Sequence, residues 1–161
     1  MRARLVRAWL LTAVVDGLFS GTLAQFAYGS SAARLFQGVA STAFSPDAFG
    51  GGTALTIAGV LMHFTVAFTW SAIFLVLYET FEWLRHVVAS PLGVLKVAAV
   101  YGPLVWVVMS FVVIPTRTGR LPAVTTRWWI QFFGHAFFVG LPIVAMIAAP
   151  RQRERLNANS A

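Results

Sequence analysis

The chain carries its most informative stretch near its end, where residues 128–142 read WWIQFFGHAFFVGLP. The run continues as mainly apolar residues to about Ala149, which is long enough for a helix that crosses a bilayer. Within it, the amide Gln131 and the imidazole His135 lie four residues apart and therefore share one helix face. Because polar groups in hydrocarbon are costly without partners, we expect other parts of the chain or of a complex to face this pair.

The composition indicates an integral membrane protein. Of the 161 residues, 58% are hydrophobic and 11% are charged, and the mean hydropathy is +0.76. A soluble domain carries about 25% charged residues. The length suits one domain of several membrane spans, with little left over for a soluble module. The chain has no cysteine, which excludes disulfides and thiolate ligands.

Apolar runs separated by breakers predict an all-α membrane protein, a bundle of four transmembrane helices. The first run is expected to be a retained span and not a cleaved signal peptide, because Asp16 interrupts it and the apolar residues continue well beyond. Pro103 is expected to kink the third span or loosen its hydrogen-bond ladder, and Pro115 is expected to end it. The predicted spans cover about residues 8–28, 53–78, 94–114 and 128–149 of a single integral membrane domain, with a basic tail at 151–161.

The segments between the spans have their own patterns. Ala32 to Phe44 is amphipathic, which predicts a short interfacial helix between spans one and two. Ser45-Pro46-Asp47 predicts a turn, and the glycine run that ends at Gly52 predicts a flexible lead-in to span two. Glu82 and His86 form an i, i+4 pair just after span two, which is typical of a solvated helix end.

The basic residues predict the orientation in the membrane. With an even number of spans both termini share a side, and that side carries eight of the twelve Lys and Arg residues. The positive-inside rule therefore predicts cytoplasmic termini. Because these residues cap apolar runs and form no stripe, no nucleic-acid surface is predicted. The termini side holds Arg2, Arg4, Arg7, Arg85, Lys96, Arg151, Arg153 and Arg155, and the other side holds Arg34, Arg117, Arg120 and Arg127.

Small residues predict faces for close helix packing. Gly17 and Gly21 lie on span one beside a polar face that carries Asp16 and Ser20, and Gly59 lies on span two. Such stripes let another helix approach closely. Together with the scarcity of soluble surface, the span-one stripe favours packing against a second copy or other membrane subunits.

The predicted topology brings polar groups of three spans to one depth. Counting residues from the predicted span ends puts Asp16, His63 and His135 within one or two helical turns of the same level. Gln131 and Ser20 are expected to complete a mid-membrane polar cluster with them. Intramembrane ionisable groups either hold helices together or serve ion and substrate pathways, and both interpretations stay open here.

Two cofactor hypotheses also stay open. His63 and His135 could hold a haem between facing helices, or Asp16 could join them as a third ligand of a metal ion. No soluble-enzyme signature is present, since phosphate-binding loops, the HExxH pattern and nucleophile elbows are all missing from the sequence. The cofactor therefore stays unassigned, with haem as one option.

Short motifs in spans two to four resemble the YagU-like group of small bacterial inner-membrane proteins and related four-span bacterial proteins. The similarity covers about residues 53 to 145. It implies a polytopic protein of the bacterial inner membrane without assigned chemistry, and it puts His63 and His135 at pattern positions. The motifs are Leu61-Met62-His63-Phe64, Tyr101-Gly102, Val113-Ile114-Pro115, Gly134-His135 and Gly140-Leu141-Pro142-Ile143.

The sequence thus leads to one preferred function and two alternatives. The preferred hypothesis is a non-enzymatic inner-membrane protein, a structural or accessory subunit that packs in the lipid bilayer as a homo-oligomer or within a larger complex. The first alternative is a small proton-coupled transporter or channel that uses Asp16, His63 and His135 and needs several copies to form a lumen. The second is a redox subunit that binds haem through both histidines.

Overall fold

The chain folds as an antiparallel bundle of helices in a computed structural model that describes residues 1–44 and 52–149. Within those ranges no strand occurs, which confirms the all-α bundle. Four helices are long and apolar enough to cross a membrane, so the protein is a multi-pass membrane protein. They are Arg2–Ala27, Gly52–Thr80, Pro91–Thr118 and Thr126–Ala149.

Three of the four spans combine α-helix with a short π-helical turn, and span two is α-helical throughout. Span one consists of α1 (Arg2–Thr22) and a π turn (Leu23–Ala27), and span two is α3 (Gly52–Thr80). Span three consists of α5 (Pro91–Val108), a π turn (Met109–Val113) and α6 (Ile114–Thr118). Span four consists of α7 (Thr126–His135), a π turn (Ala136–Gly140) and helical residues 141–149. Two short helices join the spans, α2 (Ala32–Ser41) and α4 (Glu82–Val87).

The end of the bundle that holds α4, called the α4 end, contains the tightly packed core. Nη1 of Arg4 lies 3.8 Å from Oε1 of Glu79, which joins the start of span one to the end of span two. The largest fully buried side chains gather at this end and close it with apolar contacts. They include Phe74, Tyr78, Val88, Ile143, Val144 and Ile147.

The prediction that Pro115 ends span three is wrong. The helix continues to Thr118 and ends at Gly119, whose φ of 68° is left-handed. The π turn before Pro115 lets Ile114 donate to the carbonyl of Met109, and Pro115 then occupies the first turn of α6, where no N–H bond is needed. A π turn also precedes Pro142 in span four, while α5 continues through Pro103.

Spans three and four approach each other at backbone distance. A Cβ atom on Gly102 would overlap the carbonyl oxygen of His135, and one on Gly140 would overlap the carbonyl of Ala98. On span one, by contrast, a Cβ on Gly21 would meet Ala32 at an ordinary 3.7 Å, and one on Gly17 would lie 3.4 Å from Nε2 of His63. At these four glycines, spans three and four therefore pack more closely than span one packs against its neighbours.

Helix α2 packs against the first turns of span two at the opposite end of the bundle, called the α2 end. The carbonyl of Phe36 lies against Gly59, where a Cβ would overlap it. Nε2 of Gln37 donates to Oγ1 of Thr56 and to the carbonyl oxygen of Gly52, both at 3.2 Å. The amphipathic helix expected from the sequence thus turns its apolar face to the bundle. The predicted turn at Ser45-Pro46-Asp47, the glycines before Gly52 and the basic tail lie outside the described residues.

Candidate functional site

A cavity of about 570 Å³ lies between the four spans, on the α2 side of the tightly packed core. This central cavity has the size of an ordinary small-molecule site. All five residues of the predicted polar cluster line it, and α2 contributes Leu35, Phe36 and Val39 to its wall. The five residues are Asp16, Ser20, His63, Gln131 and His135.

Asp16 and His63 face each other across spans one and two. Nδ1 of His63 lies 4.0 Å from Oδ2 of Asp16. On the other side of the ring, Nε2 lies 2.9 Å from the carbonyl oxygen of Ala13. A carbonyl oxygen only accepts, so Nε2 carries a hydrogen and donates it. Nδ1 and the carboxylate are then two acceptors that face each other, unless one of them binds a further proton.

Because two acceptors face each other, the Asp16–His63 pair can take up one proton. A second proton on His63 would give an imidazolium beside a carboxylate, and a proton on Asp16 would give a neutral acid beside the imidazole. Both side chains are only partly buried, at 15% and 13% exposure, and both line the central cavity. A ligand or a water molecule in the cavity could therefore reach the proton.

His135 and Gln131 form the wall that span four contributes. Nδ1 of His135 donates to the carbonyl oxygen of Gln131 at 2.7 Å, so a neutral ring keeps its lone pair on Nε2. Nε2 of Gln131 lies 3.4 Å from Oγ of Ser20 on span one. The His135 ring also packs on Trp106 of span three at 4.8 Å between centroids. Spans one, three and four thus meet at the Gln131–His135 wall.

Several buried polar atoms around the cavity have no hydrogen-bond partner among the described residues. They include Oδ1 of Asp16, Oε1 of Gln131, Oγ1 of Thr12 and Nε1 of Trp106. All four residues line the central cavity. Most buried polar groups in proteins are paired, and a cluster of exceptions calls for a physical reason. A polar or partly polar occupant of the cavity would supply these partners.

An aromatic floor separates the central cavity from the α4 end. Trp70 lines the cavity, and its carbonyl oxygen accepts a hydrogen bond of 2.7 Å from the hydroxyl of Tyr101. The Tyr101 ring packs edge-on against Phe74, with 4.9 Å between the centroids, and Phe74 is 1% exposed. These three side chains join spans two and three and close the cavity on this side.

A second pocket of about 750 Å³ opens at the α2 end and adjoins the central cavity. We call it the arginine pocket, because Arg117, Arg120 and Arg127 line it. The guanidinium of Arg127 lies 4.1 Å above the ring centroid of Tyr28. The two spaces share a boundary, formed by Thr42, Ala43, Trp106, Ile114, Arg117 and Gln131.

The geometry bears on the metal and haem hypotheses. Among the described residues, no three His, Asp or Glu side chains lie close enough to hold a metal ion, so Asp16, His63 and His135 do not form the three-ligand set considered from the sequence. Nε2 of His63 donates to the carbonyl oxygen of Ala13, and its Nδ1 faces the Asp16 carboxylate at 4.0 Å. Haem ligation by His63 would therefore require breaking one of these contacts.

The predicted polar cluster did not include residues of span three or of the loop after it, although both line the site. Trp106 and Arg117 line both the cavity and the pocket. The sequence makes Trp106 a candidate for an interior or cofactor-facing role, with packing preferred, and it makes Arg117 a topology determinant. A signal existed, because Trp106 and Ser110 are four residues apart and therefore share a helix face. Comparison with models of known protein families, with curated proteins and with solved structures finds no match to this chain. The resemblance to the YagU-like group stays a prediction.

Proposed function

We propose that this multi-pass membrane protein is a small proton-coupled transporter whose solute binds in the central cavity. The observation that carries the proposal is the cavity itself, about 570 Å³, ringed by Asp16, His63 and His135 from three spans. A bundle that used these groups only to hold its helices together would be expected to pair them in a closed core. Here they border a space large enough for a small molecule.

The Asp16–His63 pair supplies the proposed coupling. Binding of a proton there changes the charge of one wall of the cavity, and imidazole changes charge between about pH 5 and 8. A solute that prefers one charge state therefore binds together with the proton, or in place of it. The aromatic floor of Trp70, Phe74 and Tyr101 closes one side of the cavity. Transport requires this floor to open after the cavity has been occupied.

The cavity also removes one reason to expect partner subunits. The sequence alone suggested that a lumen needs several copies, but the central cavity lies within one chain. The small residues of span one, which motivated packing against a partner, contact this chain's own Ala32 and His63. Assembly with a second copy or another subunit is still a prediction, and the transporter proposal does not depend on it.

The proposal includes a location and an orientation. We place the protein in the bacterial inner membrane with both termini in the cytoplasm, as the resemblance and the distribution of basic residues favour. The α2 end, with the arginine pocket, then faces away from the cytoplasm. The central cavity would be entered from that side, and the aromatic floor would be the inner gate.

Site-directed labelling tests the proposal without a known solute. Because the chain has no cysteine, Val66→Cys on the cavity wall creates a single thiol. In vesicles of known orientation, we expect a membrane-impermeant methanethiosulfonate reagent to label it from the α2 side. The thiolate is the reactive form, so each labelling rate is divided by that of a free thiol at the same pH. We expect this corrected rate to differ between about pH 6 and about pH 8. Asp16→Asn should remove that pH difference.

The control thiol is Val144→Cys, which lies in the closed core at 0% exposure and should not react from either side. Labelling of both positions alike would reflect general loosening and would contradict the proposal. Failure of Val66→Cys to react at either pH, or an unchanged pH dependence in Asp16→Asn, would contradict it as well.

A further inference from the structure

The arginine pocket presents an unusual excess of hydrogen-bond donors. Its three arginines have no carboxylate within ion-pair distance among the described residues. Nε1 of Trp106 and Nε1 of Trp128 are buried donors without a partner among the same residues, although Trp128 is 8% exposed. Indole N–H and guanidinium groups donate and never accept.

Two hydroxyls and a helix end add to this set. The hydroxyls of Tyr28 and Ser110 line the pocket and are likewise buried and unpartnered among the described residues. The ten-residue helix α7 begins at Thr126, and Thr125 at its N-cap makes no side-chain cap hydrogen bond. A helix N-terminus carries partial positive charge that favours an anion. The arginines, the indole N–H groups and the helix N-terminus therefore suit an acceptor-rich, negatively charged group.

The adjoining cavity suits a different kind of group. Apart from the polar cluster and from Thr12, Thr42 and Arg117, its lining is mainly apolar and comes from α2 and from spans two to four. Residues shared by both spaces join the cationic pocket to this apolar interior. The apolar wall residues include Leu35, Phe36, Val39, Met62, Val66, Val105, Met109, Val113 and Val139.

We propose that the protein binds an amphipathic anion, with its carboxylate or phosphate head among Arg117, Arg120 and Arg127 and its apolar chain in the central cavity. The inference rests on the proposed function, because it names the class of solute that the same cavity takes. Guanidinium groups bind carboxylate and phosphate in bidentate fashion, which fixes the head at the mouth of the cavity. The apolar chain then leaves water as it enters between the spans.

Native mass spectrometry of the purified protein in a neutral detergent tests this with four probes. They are dodecyl phosphate, dodecanoate, dodecanol and inorganic phosphate. We expect the two charged amphiphiles to bind at least about tenfold more tightly than dodecanol or inorganic phosphate, because only they have both a charged head for the arginines and an apolar chain for the cavity. Tenfold corresponds to about 1.4 kcal/mol. Equal binding of dodecanol, or binding of inorganic phosphate as tight as that of the amphiphiles, would overturn the proposal.

Matched variants locate the head and the chain. Arg117→Gln and Arg127→Gln should each weaken dodecyl phosphate binding about tenfold, whereas Arg34→Gln removes a charge from α2 outside the pocket and should leave binding unchanged. Val66→Trp fills part of the cavity and should weaken both amphiphiles. Similar losses in Arg34→Gln and Arg117→Gln, or unchanged binding in Val66→Trp, would overturn the proposal. Thermal unfolding of each variant identifies those that have lost their fold, and these are replaced by Arg120→Gln and Val39→Phe.

A membrane phospholipid and a free amphiphile share the proposed chemistry, and competition distinguishes them. Displacement of dodecyl phosphate by equimolar phosphatidylglycerol would support a membrane lipid as the source. Retention of dodecyl phosphate would support a free single-chain anion. Labelling of Val66→Cys is independent of all these probes. An accessible cavity that binds none of them would overturn the ligand class alone, while an inaccessible cavity would contradict the proposed function.

Discussion

His63 uses its two ring nitrogens for two different contacts with span one. Nε2 donates to the carbonyl oxygen of Ala13 at 2.9 Å, and Nδ1 lies 4.0 Å from Oδ2 of Asp16. The chain contains a second acid–imidazole pair, His86 and Glu82, with Nε2 and Oε1 3.8 Å apart. That pair is 67% and 77% exposed, whereas the span pair is 15% and 13% exposed. The two pairs have similar separations, but one is largely buried between two spans and the other is an exposed pair within one helix.

Comparing the two pairs measures how much burial adds to the coupling free energy between an acid and an imidazole. A double-mutant cycle with Asp16→Asn and His63→Gln should yield a coupling free energy of about 0.5–1.5 kcal/mol, the range found for polar pairs between transmembrane helices. The same cycle with Glu82→Gln and His86→Gln should yield about 0–0.5 kcal/mol, because solvent screens an exposed i, i+4 pair. Steric trapping in bicelles measures the unfolding free energies. Equal coupling in the two cycles would contradict a special role for the span pair.

Much of the bundle and of its polar cluster could be predicted from the sequence. Four apolar runs give four spans, because a helix needs about twenty residues to cross hydrocarbon. Depth counting from the span ends grouped Asp16, His63 and His135, and the structure places all three on one cavity. Depth can be estimated in this way because the rise per residue is constant along a helix. Small errors at the span ends therefore shift a residue by less than a turn or two.

The cavity and the arginine pocket could not be predicted in the same way. Both depend on α2 folding against span two, which is decided by a backbone contact between Phe36 and Gly59 that no periodicity encodes. Arg117 belongs to the site only because span three continues past Pro115 to Thr118. Proline normally interrupts a helix, and the π turn that accommodates it here has no composition signal of its own.

Substitution by alanine should have a much larger effect at Gly102 than at Gly21. Gly102→Ala should lower the free energy of unfolding by about 1–3 kcal/mol, because its Cβ would overlap the carbonyl oxygen of His135 and push spans three and four apart. Gly21→Ala should change it by no more than about 1 kcal/mol, since its Cβ meets Ala32 at ordinary distance and alanine favours the helix. Unfolding in bicelles compares them. If Gly102→Ala lowered the free energy of unfolding as little as Gly21→Ala, the contact at Gly102 would have relaxed.

A haem held by His63 and His135 would give a Soret band, and the contacts of the two rings predict that the purified protein shows none. An axial ligand must offer a lone pair, but Nε2–H of His63 donates to Ala13, and Nδ1 of the same ring faces Asp16. His135 offers only Nε2, because its Nδ1–H donates to Gln131. We therefore expect no Soret band in protein purified from cells grown with excess iron and haem precursor. A Soret band that disappears in both His63→Ala and His135→Ala would contradict this reading of the two rings.

Removing the hydroxyl of Tyr101 tests the aromatic floor, and removing that of Tyr28 is the control. Tyr101→Phe removes the hydrogen bond of 2.7 Å to the carbonyl oxygen of Trp70, so the free energy of unfolding should fall by about 0.5–1.5 kcal/mol. Tyr28→Phe removes a buried hydroxyl that has no partner among the described residues and should be close to neutral.

The same two variants report on the floor as a gate. In the Val66→Cys background, Tyr101→Phe should raise labelling from the α4 side, because one of the bonds that join spans two and three is gone. Tyr28→Phe lies at the opposite end and should leave labelling from that side unchanged. A Tyr101→Phe variant that loses stability without any gain in labelling would mean that the hydrogen bond holds the fold and that another contact closes the cavity.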